Sequence, residues 1–254
     1  MKIIRFAAEG SVKYGILAGQ RVQAIKGRPF GSLNATDLRY QLSKVKLLAP
    51  CLPSKIVAVG LNYRAHAQET KQPLPKEPLI FLKPPTAVIG PEDNIVYPPS
   101  STRVDYEGEL GVVIKKRAWQ VSEEKALDYV LGYTCFNDVT ARDLQSSDGQ
   151  WTRGKGFDTF AGIGPCIETE LDPANAMVET YLNGKLKQHS STSDLIFPVT
   201  RLISFISHVM TLLPGDVIAT GTPSGIGPML PGDTVEIKIE GIATLRNHVV
   251  KDGG

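Results

Sequence analysis

The sequence predicts an α+β, strand-rich fold, and three observations carry that expectation. The 254 residues include 24 glycines and 18 prolines with no collagen-like period, so the chain must turn often. Short apolar, β-branched runs that end at Gly, Pro or Asn-Gly recur along its length, as buried strands joined by tight connections would. Hydrophobic residues make up 42% and charged residues 21%, the balance of a chain that buries a core and is not disordered.

Taken in order, residues 1–50 form a small N-terminal β domain. Lys2 to Ala7, Tyr14 to Leu17 and Arg21 to Ile25 have strand content, with Ala18-Gly19-Gln20 as a turn between the last two. Pro50 and Pro53 interrupt regular structure and mark the boundary to the larger domain, residues 51–254. That domain opens with the apolar run Lys55 to Val59. Prolines at 73, 75, 78, 84 and 85 then exclude long helices, although Leu79 to Leu82 can be a short strand. Leu110 to Ile114 is a further strand. Ser122 is placed to cap a helix through Glu123, Ala126 and Tyr129, because its hydroxyl can accept from first-turn amides. Asn183-Gly184, flanked by Met177 to Leu182 and Lys185 to Gln188, is a hairpin signal, since both residues tolerate positive φ. Leu202, Ile203, Phe205, Ile206, Val209 and Met210 recur at helical spacing up to Pro214-Gly215. Leu-Pro-Gly-Asp occurs at 213–216 and again at 230–233, each time before a β-branched run, so both read as turns that feed strands. Val235 to Ile239 and Ala243 to Val249 close the chain as a hairpin.

Composition narrows the function. With 28 Lys+Arg against 26 Asp+Glu the net charge is +2, which gives no broad basic field and argues against a nucleic-acid partner. No apolar run reaches the ~18 to 20 residues that cross a bilayer, and the opening residues lack a signal peptide's apolar core, so the sequence reads as cytoplasmic with no membrane partner. Cys51, Cys135 and Cys166 are odd in number and lack CxxC spacing, which argues for buried thiols over disulfides or a zinc site.

Three groups can carry chemistry. In Asp105-Tyr106-Glu107-Gly108-Glu109-Leu110, an extended backbone points Glu107 and Glu109 to one face with Cα atoms ~6.5 Å apart, close enough to share a hard cation such as Mg²⁺ or Mn²⁺. The same alternation also suits a solvated strand face. Asp138 ends an apolar run and precedes Arg142 and Gln145; it serves equally as a helix cap. His66 and Glu69 share a face on a helical turn, where Glu69 can orient the imidazole as a general base toward water. Gly149 to Gly156 falls one residue short of a phosphate-binding loop: Gly156 follows Lys155 where a Ser or Thr would be needed. The loop Gly221 to Gly227 lacks nucleophile-elbow spacing but can present backbone to an anion. His189, His208 and His248 have no ligand spacing and read as structural.

Six stretches, in order, resemble the fumarylacetoacetate hydrolase family: 60–69 (GLNYRAHAQE), 81–84 (FLKP), 105–110 (DYEGEL), 137–145 (NDVTARDLQ), 154–160 (GKGFDTF) and 220–227 (TGTPSGIG). The resemblance implies a mixed β-sandwich roll, usually a homodimer. It also implies a metal, Mg²⁺ or Mn²⁺, held by Glu107, Glu109 and Asp138. A His66–Glu69 dyad on a mobile lid and Lys155 beside the metal would be catalytic; Arg64, Arg142, Gln145 and Thr222 would contact substrate. The fumarylacetoacetases themselves carry a further Asp ligand seven residues before the histidine, where this chain has Val59. With His-x-x-Glu present instead, the chain is more similar to the acylpyruvate hydrolase and oxaloacetate decarboxylase branch.

The expected reaction is cleavage or decarboxylation of a small anionic 2-oxo acid with the pyruvate enolate as leaving group. Isomerisation or hydration of an unsaturated 2-oxo diacid is the alternative. A metal-binding scaffold without activity would need only the carboxylates, so His66, Glu69 and Lys155 together weigh against it.

Overall fold

The structure, a computed structural model, describes residues 1–253. Strands dominate and fall into three sheets. The largest holds twelve strands and mixes antiparallel with parallel pairs: Gly108–Ile114 lies between Val130–Asp138, antiparallel, and Val217–Ala219, also antiparallel, and the latter pairs in parallel with Ile56–Gly60. Gly108–Ile114 is buried along its whole length. Leu110, Val112 and Ile114 enter the main core while Val113 enters a second cluster with Ile56 and Phe136, so both faces of the strand are covered. Its unbroken apolar run after Glu109 follows from that double burial.

The N-terminal segment forms the antiparallel strands Lys2–Ala8, Ser11–Ala18, Arg21–Lys26 and Asn34–Gln41 around Ile4, Phe6, Val22 and Ala24. Asn34–Gln41 was not among the expected strands; Thr36, Leu38 and Tyr40 do alternate with polar residues in it, and it lies largely exposed at the edge of the sheet. These strands continue the large sheet: Lys2 and Ile3 pair with Glu168 and Ile167.

Local signals and tertiary outcomes agree at the turns. Asn183 and Gly184 have φ of 51° and 74°, and join Met177–Leu182 to Lys185–Ser191. Both Leu-Pro-Gly-Asp turns use one device: Asp216 Oδ2 accepts the Leu213 N–H at 2.8 Å and Asp233 Oδ2 the Leu230 N–H at 2.7 Å. The apolar spacing after Pro198 becomes the helix Val199–Val209, with Leu202, Ile203 and Ile206 in the core. Ser122 departs from expectation. Glu123–Tyr129 is a 3-10 helix, and the Ser122 side chain makes no cap bond. Nor does Asp138 cap a helix; it is the last residue of strand Val130–Asp138. All three cysteines are buried and free. Among the described residues no helix is long and apolar enough to cross a membrane.

Candidate active site

The site forms where the large sheet meets the small sheet of Val104–Tyr106, Thr140–Ala141 and Gly227–Met229. Glu107 is the joint: Tyr106 before it belongs to the small sheet and Gly108 after it to the large one. Its backbone is pinned on both sides, with the N–H donated to Asn137 Oδ1 at 3.1 Å and the carbonyl accepting the Asp138 N–H at 2.9 Å. That pinning brings Asp138 against Glu107 and Glu109. One carboxylate oxygen from each of the three lies within 4.8 Å of the others, and all three residues are buried.

Cations surround the trio. Lys155, at the end of the short helix Thr152–Lys155, donates to Glu107 Oε2 at 2.8 Å and Asp138 Oδ2 at 2.7 Å. Arg142 donates to Asp105, to Gln145 Oε1 and to Glu107. Lys83 is fully buried behind Asp138, donating to its Oδ1 and to the Val139 carbonyl. Burial alone would raise the Glu107 carboxyl, but Lys155 and Arg142 more than offset it and bring the pKa down to about 2. Glu109 is the opposite case. Burial, then the charges of Asp138 and Glu107, push its carboxyl well above the usual range, because the Lys155 charge and the hydrogen bond from the Gly221 N–H are too little compensation. Burial disfavours the Lys155 ammonium, yet Asp138 and Glu107 hold its pKa above the ordinary value. Burial lowers Lys83 more than Asp138 raises it.

An all-oxygen donor set with an undercompensated buried carboxylate fits a hard divalent cation such as Mg²⁺ or Mn²⁺. Such an ion would replace at Glu109 the charge that the neighbouring lysines do not supply.

Opposite the trio stands the helix Arg64–Glu69. Its root is fixed by Asn62, which donates to the Thr220 carbonyl at 2.8 Å and brackets Phe197 from both backbone sides. His66 Nδ1 lies 2.9 Å from Glu69 Oε2, and Glu69 Oε1 accepts the Gly225 N–H. The imidazole is thus aimed from the helix into a cavity of about 530 Å³ that Glu107, Glu109, Asp138 and Lys155 also line. Gly221 turns the loop into the site with φ 98°, and a Cβ there would meet Asn62 at 2.8 Å, so only glycine fits.

The remaining expected residues divide. Arg142, Gln145 and Thr222 line the cavity. The Thr222 hydroxyl, however, donates to the Gly108 carbonyl and accepts from Gln188, so what it retains for a substrate is a lone pair. Arg64 does not line the cavity. It is exposed on the outer side of its helix and donates to the Leu195 carbonyl, a consequence of the helical turn that aims His66 inward. Sequence reasoning gave no role to Lys83, Trp151 or Gln188. Lys83 had a signal, a lysine closing the apolar run Leu79 to Leu82; Gln188 had none, since apart from Thr180 on the facing strand of its hairpin its partners come from two distant segments.

Residues 55–250 match the family described as Fumarylacetoacetate (FAA) hydrolase C-terminal. The chain belongs to the fumarylacetoacetate hydrolase family. Residues 1–50 match the domain described as Rv2993c-like, N-terminal. Within the family, the X-ray structure of 5-carboxymethyl-2-hydroxymuconate delta-isomerase from Mycobacterium smegmatis is similar at TM-score 0.94 and 47% identity, covering 99% of this chain and 100% of that one. Oxaloacetate tautomerase FAHD2B, mitochondrial, of Bos taurus is 43% identical over 221 residues, 82% of this chain and 70% of its own length. The maleylpyruvate hydrolase from Sphingobium sp. SYK-6, crystallised in complex with manganese(II) ion and pyruvate, is similar at TM-score 0.83 and 31% identity over 99% of both chains. The mixed, strand-rich architecture expected from the sequence is that of the fumarylacetoacetate hydrolase fold.

Proposed function

We propose that the protein is a Mg²⁺- or Mn²⁺-dependent enzyme that generates the enolate of a small 2-oxo acid, by hydrolytic cleavage of a 2,4-dioxo acid or by decarboxylation of oxaloacetate. One observation carries the proposal: a three-carboxylate oxygen cluster and the His66–Glu69 dyad face one cavity. The manganese and pyruvate in the maleylpyruvate hydrolase complex support it.

Glu107, Glu109 and Asp138 would hold the ion, whose chemistry is Lewis-acid stabilisation of negative charge developing on a 2-oxo oxygen. The chain's own residues do the rest. With Nδ1 engaged by Glu69, His66 keeps Nε2 for the cavity and takes a proton from water as that water adds to C4. Glu69 fixes the ring and balances the imidazolium that results. Breaking the C3–C4 bond then leaves a carboxylic acid and the enolate of pyruvate, which His66 or solvent reprotonates at C3. Two Lys155 protons are committed to Glu107 and Asp138, so the third is free for the enolate oxygen. Arg142 occupies Gln145 Oε1, which turns the Gln145 amide donor toward a substrate acceptor.

A second reading, isomerisation or tautomerisation without C–C cleavage, is favoured by the names of the two more similar relatives. It uses the same base to move a proton between carbon and oxygen. We also propose a homodimer, acting in the cytoplasm. Incubation of acetylpyruvate and oxaloacetate with the enzyme, with and without EDTA, separates the readings, because only cleavage or decarboxylation releases pyruvate. Chelation and Glu107→Ala should each abolish turnover. Pyruvate release indifferent to both would overturn the metal-dependent mechanism, and consumption of substrate without pyruvate would select the isomerase reading.

A further inference from the structure

Resting on that reading of the carboxylate centre, we propose that Asp105 is a positioning residue: it presets the Arg142 guanidinium, through which the substrate's anionic head is held. Asp105 is fully buried and does not line the cavity, so it touches no substrate and can act only through a neighbour. That neighbour is Arg142, whose Nε–H donates to Asp105 Oδ2 at 3.1 Å. Arg142 does line the cavity, with its side chain 21% exposed. Three of its five N–H groups are committed, to Asp105, to Gln145 and to Glu107. Each terminal nitrogen keeps one more for an anionic oxygen in the cavity.

Asp105 is itself fixed from the protein surface. Arg103 grips it with two donors, Nε to Oδ1 at 2.9 Å and Nη2 to Oδ2 at 3.1 Å, while the Arg103 side chain stays 50% exposed. A two-point grip sets the plane of the carboxylate, so the orientation of Oδ2 toward Arg142 does not depend on a ligand. Strand pairing brings the partners together: Val104 faces Ala141, and the Arg142 N–H that follows donates to the Arg103 carbonyl at 2.8 Å. Without its anchor Arg142 would have to be ordered by the ligand, and ordering one long side chain on binding costs a factor of about three to ten in affinity. Gln145 and Glu107 do not replace the anchor, because both hold only terminal nitrogens and Glu107 must also serve the ion.

Arg103→Gln combined with Asp105→Asn removes one cation and one anion, so the net charge stays the same and only the anchor is lost. Calorimetric binding of oxalate, a dianion with the head of a 2-oxo acid, to the full-length protein in Mn²⁺ should weaken by about three- to tenfold in this double variant. In turnover the loss should fall on KM more than on kcat. Placed in an Arg142→Met background, the same two substitutions should change oxalate binding by less than about twofold, because nothing remains to be positioned. Wild-type affinity in the double variant, or an equal loss in the Arg142→Met background, would overturn the positioning role while leaving the carboxylate centre intact. Failure of the wild-type protein to bind oxalate in Mn²⁺ would overturn the centre, and the positioning role with it. If the double variant does not fold, Arg103→Gln alone, at its half-exposed position, carries the test: its weakening relative to wild type should survive about 0.5 M KCl, which screens a surface charge. A loss that salt abolishes would show that Arg103 acts by its charge alone and would overturn the anchor.

Discussion

Glu69 Oε1 accepts the backbone N–H of Gly225 at 3.0 Å, across 156 positions of chain, while Oε2 holds His66 Nδ1. One carboxylate therefore orients the base and ties its helix to the loop that carries Thr222.

The two duties separate by substitution. In Glu69→Gln the amide oxygen must face the Gly225 donor, which turns the amide NH₂ toward His66 Nδ1. That nitrogen becomes an acceptor, the ring proton moves to Nε2, and the base is lost. We expect kcat to fall by ~10² to 10⁴ while hydrogen exchange over residues 64–72 stays near wild type. Glu69→Ala should lose kcat equally and also exchange faster there. Wild-type exchange in Glu69→Ala would show that the Gly225 bond does not hold the helix.

Lys83 shows its value when the metal is varied. Its ammonium is buried against Asp138, so Lys83→Met breaks an ion pair and leaves the carboxylate short of a cation. Without divalent ions the variant should be less stable by ~3 kcal/mol. With them, the more negative trio should bind the ion more tightly, and ligand-linked stabilisation grows with the ratio of ion concentration to Kd. Thermal unfolding with and without Mn²⁺ should show a larger metal-induced rise in Tm than in wild type. An equal or smaller rise would mean that Lys83 does not set the charge of the trio.

Gln188 spends every hydrogen bond it has. Its oxygen accepts from the Gly108 N–H at 3.0 Å and the Thr180 hydroxyl at 2.7 Å, and its amide donates to Thr222 Oγ1 and the Pro223 carbonyl, both at 2.8 Å. Gln188→Leu keeps the volume and strands these buried groups, so urea unfolding should report a loss of ~2 to 4 kcal/mol. Thr222→Ser, which keeps the hydroxyl, should cost under ~1.5 kcal/mol. A larger loss for Thr222→Ser than for Gln188→Leu would place the weight on the Thr222 methyl instead.

What was legible in the sequence was whatever acts over a few residues. Asn183-Gly184 needs only its own positive φ angles, and Asp216 and Asp233 each bond three residues back, so those turns could be read directly. Glu107 and Glu109 were visible as a pair because a strand repeats every two residues. The fate of a charge was not visible, because its partner lies far away in sequence. Arg142 lines the cavity, but its clamp on Glu107 and Asp105, 35 and 37 positions away, could not be read from spacing. Lys83 meets Asp138 across 55. Ser122 fails as a cap for a related reason: its segment is a 3-10 helix, and the local preference had no way to register that geometry.

Asp143 links the site to pH through the helix Arg142–Asp148, which carries both Arg142 and Gln145. Burial opposes its charge, but the Thr102 N–H and the Ser101 and Thr102 hydroxyls, at 2.7 to 2.9 Å, together outweigh that and lower its pKa from 3.8 to about 2. A carboxyl whose folded pKa lies below its unfolded value stabilises the fold above the unfolded pKa. That contribution fades as pH falls through 3.8 and is gone below about 2. The side chain is partly solvated, so screening reduces its worth to ~1 kcal/mol at neutral pH. Asp143→Asn should accordingly lower stability by that amount at pH 7, and the gap should close between pH 4 and pH 2, where the wild-type carboxyl takes up its proton. Urea unfolding of both proteins across that range is the measurement. A gap that stays constant down to pH 2 would show that Asp143 acts through hydrogen-bond geometry alone and not through its charge.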